Sequence, residues 1–137
     1  MKLRAHHLLC LFGFRGLGYS KDFVKNFAKV LKQIKDKPQL LLEIIDRPDC
    51  ICARCPHQKN NGCQKNGLNS ERQVRDRDNL IIKRLGIRKG YRAYAGDIFN
   101  FISRNIFPQD LTEICIGCEW LKYGYCVEGL RQKRFLG

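Results

Sequence analysis

Eight cysteines are the residues of this 137-residue chain best suited to chemistry, and six of them fall into two copies of one spacing. Cys52, Cys55 and Cys63 read C-x2-C-x7-C, and so do Cys115, Cys118 and Cys126. A glycine stands close to the third cysteine of each copy, Gly62 in one and Gly124 in the other. Two thiolates three residues apart can grip one metal from a single turn, and the third returns after a knuckle-like loop. Each triplet is one donor short of the four that a tetrahedral zinc or a four-iron cube takes. Cys10 and Cys50 are left over, so two triplets and two spares fit two four-cysteine metal sites. Cys50 adjoins the first triplet, and in an extended chain Cys50 and Cys52 would project from one face. That leaves Cys10 for Cys115, Cys118 and Cys126. His57 is a further donor beside Cys55.

The spacing points to a metal more firmly than to which metal, because zinc and iron both accept four thiolates. Zinc ribbons carry two C-x2-C pairs, whereas here the third cysteine of each group stands alone. The C-x2-C-x2-C run of bacterial ferredoxins is absent as well. One or two [4Fe–4S] clusters, with zinc as the alternative at one or both sites, are the cofactors expected.

Length and charge bound the reading. A chain of this size can bury a core without covalent staples, so eight cysteines imply a specific use. The amino terminus has a short apolar run that ends at Arg15 without a small-residue cleavage site, unlike a signal peptide. No apolar stretch is long enough to span a membrane. The expectation is a cytoplasmic protein with reduced thiols. Its formal charge is +13. Two thiolate-bound metal sites would lower it to about +9, which still attracts an acidic protein, a nucleic acid or another polyanion without choosing among them.

The elements that must position the cysteines can be read from periodicity and stop signals. Residues 4–12 read as a short helix with His6 and Cys10 on one face. Gly13 to Tyr19 is glycine-rich and reads first as a connection, with an anion-binding loop as the alternative. Ser20 caps a helix to Asp36, with Phe23, Phe27, Val30 and Ile34 as its apolar stripe. Gln39 to Asp46 reads as a short buried strand, and Arg47-Pro48-Asp49 breaks it ahead of the first triplet. A second long helix opens at Ser70 and stops at Gly86. Its charged side, including Asp76 and Asp78, reads as a solvated, salt-bridged surface. Residues 87–96 read as a turn-rich link, 97–106 as a helix, 110–113 as a helical turn and 127–135 as a last helix. Trp120, Tyr123 and Tyr125 lie among the ligands of the second triplet and could shield a cluster from water. The fold expected is mainly α, with a small α+β arrangement as the variant, in one compact domain over 1–137 with two cysteine-ligated metal sites.

Arg4-Ala5-His6-His7-Leu8-Leu9-Cys10-Leu11, the Gly13–Tyr19 loop, Cys52-x-x-Cys55-Pro56-His57, Gly62-Cys63, Cys115-x-x-Cys118-x-Trp120 and Cys126-x-x-Gly129-Leu130 resemble a prokaryotic family of small uncharacterised proteins. That family, a domain of unknown function, is described as iron–sulfur binding, and the resemblance covers nearly the whole chain. It implies a cluster and no known reaction. Cys50 lies outside the resemblance, which makes Cys10, His57 or water the groups that complete a site.

Three functions follow as expectations. The first is an iron–sulfur protein for electron transfer or cluster-based redox chemistry, with a redox or acidic protein partner. The second is a zinc-stabilised module that binds nucleic acid or another polyanion. The third is an enzyme with an open-site cluster, such as a sulfur-transfer protein, using His6, His7 or Arg15 beside the metal.

Overall fold

Burial alternates along Leu41–Ile45, with Leu42 and Ile44 inside and Leu41 exposed, as a half-buried strand requires. This strand, β2, is the centre of a three-stranded sheet. β1 (Lys2–Arg4) pairs with it in parallel, placing Leu3 opposite Ile44. β5 (Arg92–Tyr94) pairs with it antiparallel, placing Leu42 opposite Ala93. Each flanking strand has three residues, too few for a period of two to register in sequence. The stretch read as a turn-rich link therefore holds β5, and the amino terminus holds β1. The computed structural model describes residues 1–16, 18–56, 58–59, 62–63, 70–115 and 123–132, with the backbone alone for 58, 59 and 63.

Six α-helices among the described residues make the protein mainly α with a small sheet. They are α1 (Ala5–Gly13), α2 (Lys21–Asp36), α3 (Ser70–Leu85), α4 (Ala95–Asn105), α5 (Leu111–Ile114) and α6 (Tyr125–Gln132). α2 follows its sequence signals. Ser20 Oγ accepts a hydrogen bond from the Phe23 N–H at 3.1 Å, and Phe23, Phe27, Val30 and Ile34 form its buried stripe. Burying each such side chain contributes roughly 1.5–3 kcal/mol. α3 stops where Gly86 takes a φ of 68°, a left-handed conformation that favours glycine. α4 starts at Ala95, two residues before the expected start, because β5 runs straight into it. A short hairpin, β3 (Gln58–Lys59) and β4 (Gly62–Cys63), follows the first C-x2-C and sets Cys63 opposite Gln58. One continuous core takes residues from all six helices and from β1 and β2. Among the described residues no helix is long and apolar enough to cross a membrane.

The charged side of α3 is not all solvated. Asp78, read as part of an exposed surface, is fully buried. Helix periodicity cannot distinguish a face turned to water from one turned to a buried cation, and α3 packs this edge against α1.

α1 is the helix that reaches every part of the candidate site. It packs along α6, with Gly13 against Cys126. A Cβ on Gly13 would lie 2.5 Å from Cys126 Cα and 2.6 Å from Cys126 Sγ. No side chain fits there unless the two helices separate. Gly13→Ala should therefore destabilise the protein by about 1–3 kcal/mol, the range for overpacking a tight interface. Urea denaturation followed by circular dichroism would read the change as a lower midpoint.

Candidate functional site

The first turn of α1 has no cap of its own, since Arg4 stands at the N-cap position and gives no side-chain bond. Two carboxylates from distant parts of the chain take that place. Asp78 Oδ1, from α3, accepts the His6 N–H at 2.9 Å, and Asp49 Oδ2 accepts the Arg4 N–H at 2.8 Å. Both satisfy donors that a helix start leaves open and meet the positive end of the helix dipole.

Arg4 is the hub of this cluster, with a fully buried side chain. Its Nε donates to Asp78 Oδ2 at 2.8 Å, and NH1 and NH2 fork onto the two oxygens of Glu71 at 2.9 and 2.8 Å. NH2 also reaches the Asp46 carbonyl at 3.4 Å. Burial alone would lower the guanidinium pKa, but Glu71 and Asp78 outweigh it and hold Arg4 charged. The same neighbours act on Asp78. Burial pushes its pKa up, and His6 and Arg4 bring it below the usual carboxylate range.

His6 and His7 sit side by side with ring centroids 4.3 Å apart. Each spends Nδ1 on a carboxylate: His6 on Asp78 at 2.7 Å, His7 on Asp49 at 2.8 Å. Burial, then the neighbouring His7, lowers the pKa of His6 to about 4, so that it is neutral at pH 7. Burial would raise the pKa of Asp49, yet His7 and the N–H groups of Arg4 and Cys52 hold it at about 2. Asp49 also accepts from Ile51 N–H at 2.9 Å and Cys52 N–H at 3.1 Å, which fixes the turn entering the first triplet.

Cys52 opens a one-turn 3-10 helix, Cys52–Arg54, on the inner side of that turn. Its sulfur, a carboxylate oxygen of Asp49 and a ring nitrogen of His7 all lie within 4.8 Å of one another. Burial, followed by the charge of Asp49, pushes the Cys52 thiol well above the ordinary range, although Arg4 hydrogen-bonds it. A buried, protonated thiol is a poor nucleophile. Bound metal would take it as thiolate. Cys50 lies two residues before Cys52 in the same turn. The chain there turns instead of running extended, and Cys50 Sγ lies 3.8 Å from the Lys2 carbonyl. Burial and Asp49 push its thiol up to about 11.

At the other end of α1, Gly13 lies against Cys126. Cys10, Cys115 and Cys126 are half-buried against the common core. Cys115 ends α5, and Cys126 lies in the first turn of α6, just after Gly124 with its φ of 72°. Arg15 straps the glycine-rich loop to α6. Its guanidinium lies 4.6 Å from the Tyr125 ring centroid and 3.0 Å from Glu128. Tyr125 stacks on Tyr123 at 5.9 Å.

Cys10, Cys50, Cys52, Cys55, Cys115 and Cys126 are thiols, not half-cystines. Cys118, Trp120 and His57 lie outside the described residues, as does the side chain of Cys63. Sequence reasoning missed Arg4, Asp49, Glu71 and Asp78 as site residues. The one local signal was an arginine two residues ahead of a histidine pair and an apolar run. A separate cavity of about 370 Å3, lined by Ile44, Tyr91 and Phe101 among others, has no cysteine or histidine in its wall.

The profile of a family described as "Protein of unknown function (DUF1284)" matches residues 18–124. That span includes Cys50 to Cys118 and leaves out Cys10, Cys126 and the paired histidines. No curated protein and no solved structure matches the chain.

Two outcomes follow from the buried network. Arg4→Met would leave Asp78 buried without its cation and should cost about 3–5 kcal/mol, read by chemical denaturation. In chelator-treated protein, stability should also fall as pH drops from about 6.5 to about 4. The unfolded chain protonates His6 near 6.5 while the native protein resists until about 4, so protons favour unfolding across that window. The loss should reach up to about 3 kcal/mol and should disappear in His6→Asn.

Proposed function

The chain belongs to the DUF1284 family, whose function is unknown, and from its own geometry we propose that it is an iron–sulfur protein that holds a [4Fe–4S] cluster where α1 meets the carboxy-terminal segment. Cys10, Cys115, Cys118 and Cys126 are the ligands in this reading. The observation that carries it is the contact between Gly13 and Cys126. It sets the sulfur of Cys126 over the turn of α1 that contains Cys10, across more than a hundred residues of sequence.

The donor set fits the group. Thiolates are the usual ligands of such clusters, and the described sulfurs are half-buried against apolar residues, which limits access of water. Tyr125 and Tyr123 add aromatic cover, and Arg15 lies beside them with a positive charge that would favour the anionic cluster–thiolate unit. When bound, the cluster supplies one-electron redox chemistry. The protein's own part is to hold Cys10 on α1, Cys115 at the end of α5 and Cys126 in the first turn of α6. The surface around α2 exposes Lys21, Lys25, Lys29 and Lys32, which suits an acidic redox partner.

Anaerobic purification with iron and acid-labile sulfide analysis tests this. The expected result is roughly four of each per chain, lost in Cys10→Ala and kept in Cys50→Ala. A protein free of iron and sulfide after anaerobic purification rules the reading out.

A further inference from the structure

We propose that His7, Asp49 and Cys52 are the protein ligands of a single zinc ion, at a site separate from the proposed cluster and independent of it. A ring nitrogen, a carboxylate oxygen and a thiolate sulfur supply one donor each, and a water takes the fourth position of the tetrahedron.

Size argues first. The three donor atoms lie within 4.8 Å of one another. Zinc bonds nitrogen and oxygen at ~2.0–2.2 Å and sulfur at ~2.3 Å, so tetrahedral donors stand about 3.4–3.6 Å apart. Side-chain shifts of about an ångström therefore close the set on one ion. The donors come from two parts of the chain, His7 from α1 and the other two from the turn that follows β2. Cys55, expected to share a metal with Cys52, does not lie within 4.8 Å of all three donors, and neither does Cys50. The sulfur of Cys50 is at the Lys2 carbonyl instead.

The hydrogen bonds hold these donors in place. Asp49 accepts the N–H groups of Arg4 at 2.8 Å, Ile51 at 2.9 Å and Cys52 at 3.1 Å. Carboxylates that bind a metal are themselves hydrogen-bonded as a rule, which fixes their orientation and tunes the ion. His7 and Asp49 are already paired at 2.8 Å before any ion arrives. Arg4 hydrogen-bonds Cys52, a contact that is stronger to a thiolate than to a thiol. Every donor is thus supported by a backbone or side-chain group that does not itself bind the ion.

Charge is a separate argument. The side chain of Asp49 is fully buried and ionised, and its ion-pair partner is His7, not a lysine or arginine. Cys52 is buried beside it, and burial together with that carboxylate keeps the thiol protonated. Zinc binding takes the thiol as thiolate and releases its proton to solvent. A divalent ion with one carboxylate, one thiolate and a neutral imidazole sums to zero charge, which is the least costly state to bury. Magnesium and calcium take oxygen ligands and do not suit a set with nitrogen and sulfur.

The test uses the full-length chain purified anaerobically. Cadmium-113 magnetic resonance, with cadmium standing in for zinc, gives each bound ion its own signal, whose position reports how many sulfurs bind it. One signal should report a single sulfur ligand. It should vanish in His7→Ala and in Cys52→Ser and persist in Cys50→Ser and Cys55→Ser. Zinc affinity, read in competition with a chromophoric chelator, should fall roughly tenfold or more in His7→Ala and in Asp49→Asn. Signals that all report two or more sulfurs, loss of the single-sulfur signal in Cys55→Ser, or unchanged affinity in His7→Ala would each overturn the proposal. If a variant does not fold, the wild-type spectrum still decides. Iron analysis of the same samples separates this site from the proposed cluster, because His7→Ala should lose the signal and keep its iron.

Discussion

Arg4 puts a full positive charge where water does not reach, and the surroundings of α1 are arranged around that constraint. Moving an arginine from water into a protein interior costs several kcal/mol unless its donors are met with good geometry. Here a fork onto Glu71, a bond to Asp78 and the Asp46 carbonyl meet them. These partners come from α3 and from the end of β2. Satisfying one side chain therefore fixes the position of β1, α1, α3 and the strand that leads into the first cysteine triplet. Replacing Arg4 by lysine would keep the charge and lose the planar fork, so the two are not equivalent at this position.

The same region shows how a helix can begin without a local cap. Asp49 and Asp78 serve as caps from a distance, and each also holds one of two adjacent histidines. Capping, ion pairing and histidine orientation thus share two carboxylates. Such a network is strong only when complete, because each unmet group in a low-dielectric interior is costly. It makes the first turn of α1 rigid.

α1 also joins the two cysteine groups. It has nine residues, so it is about 13 Å long. Its first turn faces Cys52 and its last faces Cys126. The helix is locked at its far end by Gly13 against α6 and by Arg15 between Tyr125 and Glu128. The two regions nonetheless differ in kind. One is a largely buried polar network beside the Cys52 thiol, and the other is an apolar helix interface with half-buried sulfurs.

Sequence alone determined the elements whose signals are local. α2 has its serine cap, apolar stripe and Lys37-Pro38 stop within one continuous segment, and α3 has its glycine stop. The repeated cysteine spacing also stands in the linear chain, because two thiols on one turn are a local fact. Tertiary structure decided the rest. β1 and β5 exist because β2 offers them hydrogen bonds, and Asp78 is buried because Arg4 lies opposite it. The pairing of Asp49 with His7 joins residues 42 apart, and that of Arg4 with Asp78 joins residues 74 apart. A charged residue reads the same in sequence whether it meets water or a buried partner of opposite sign. Only the folded chain brings the partner to it, and with it the choice between a solvated surface and a buried ion pair.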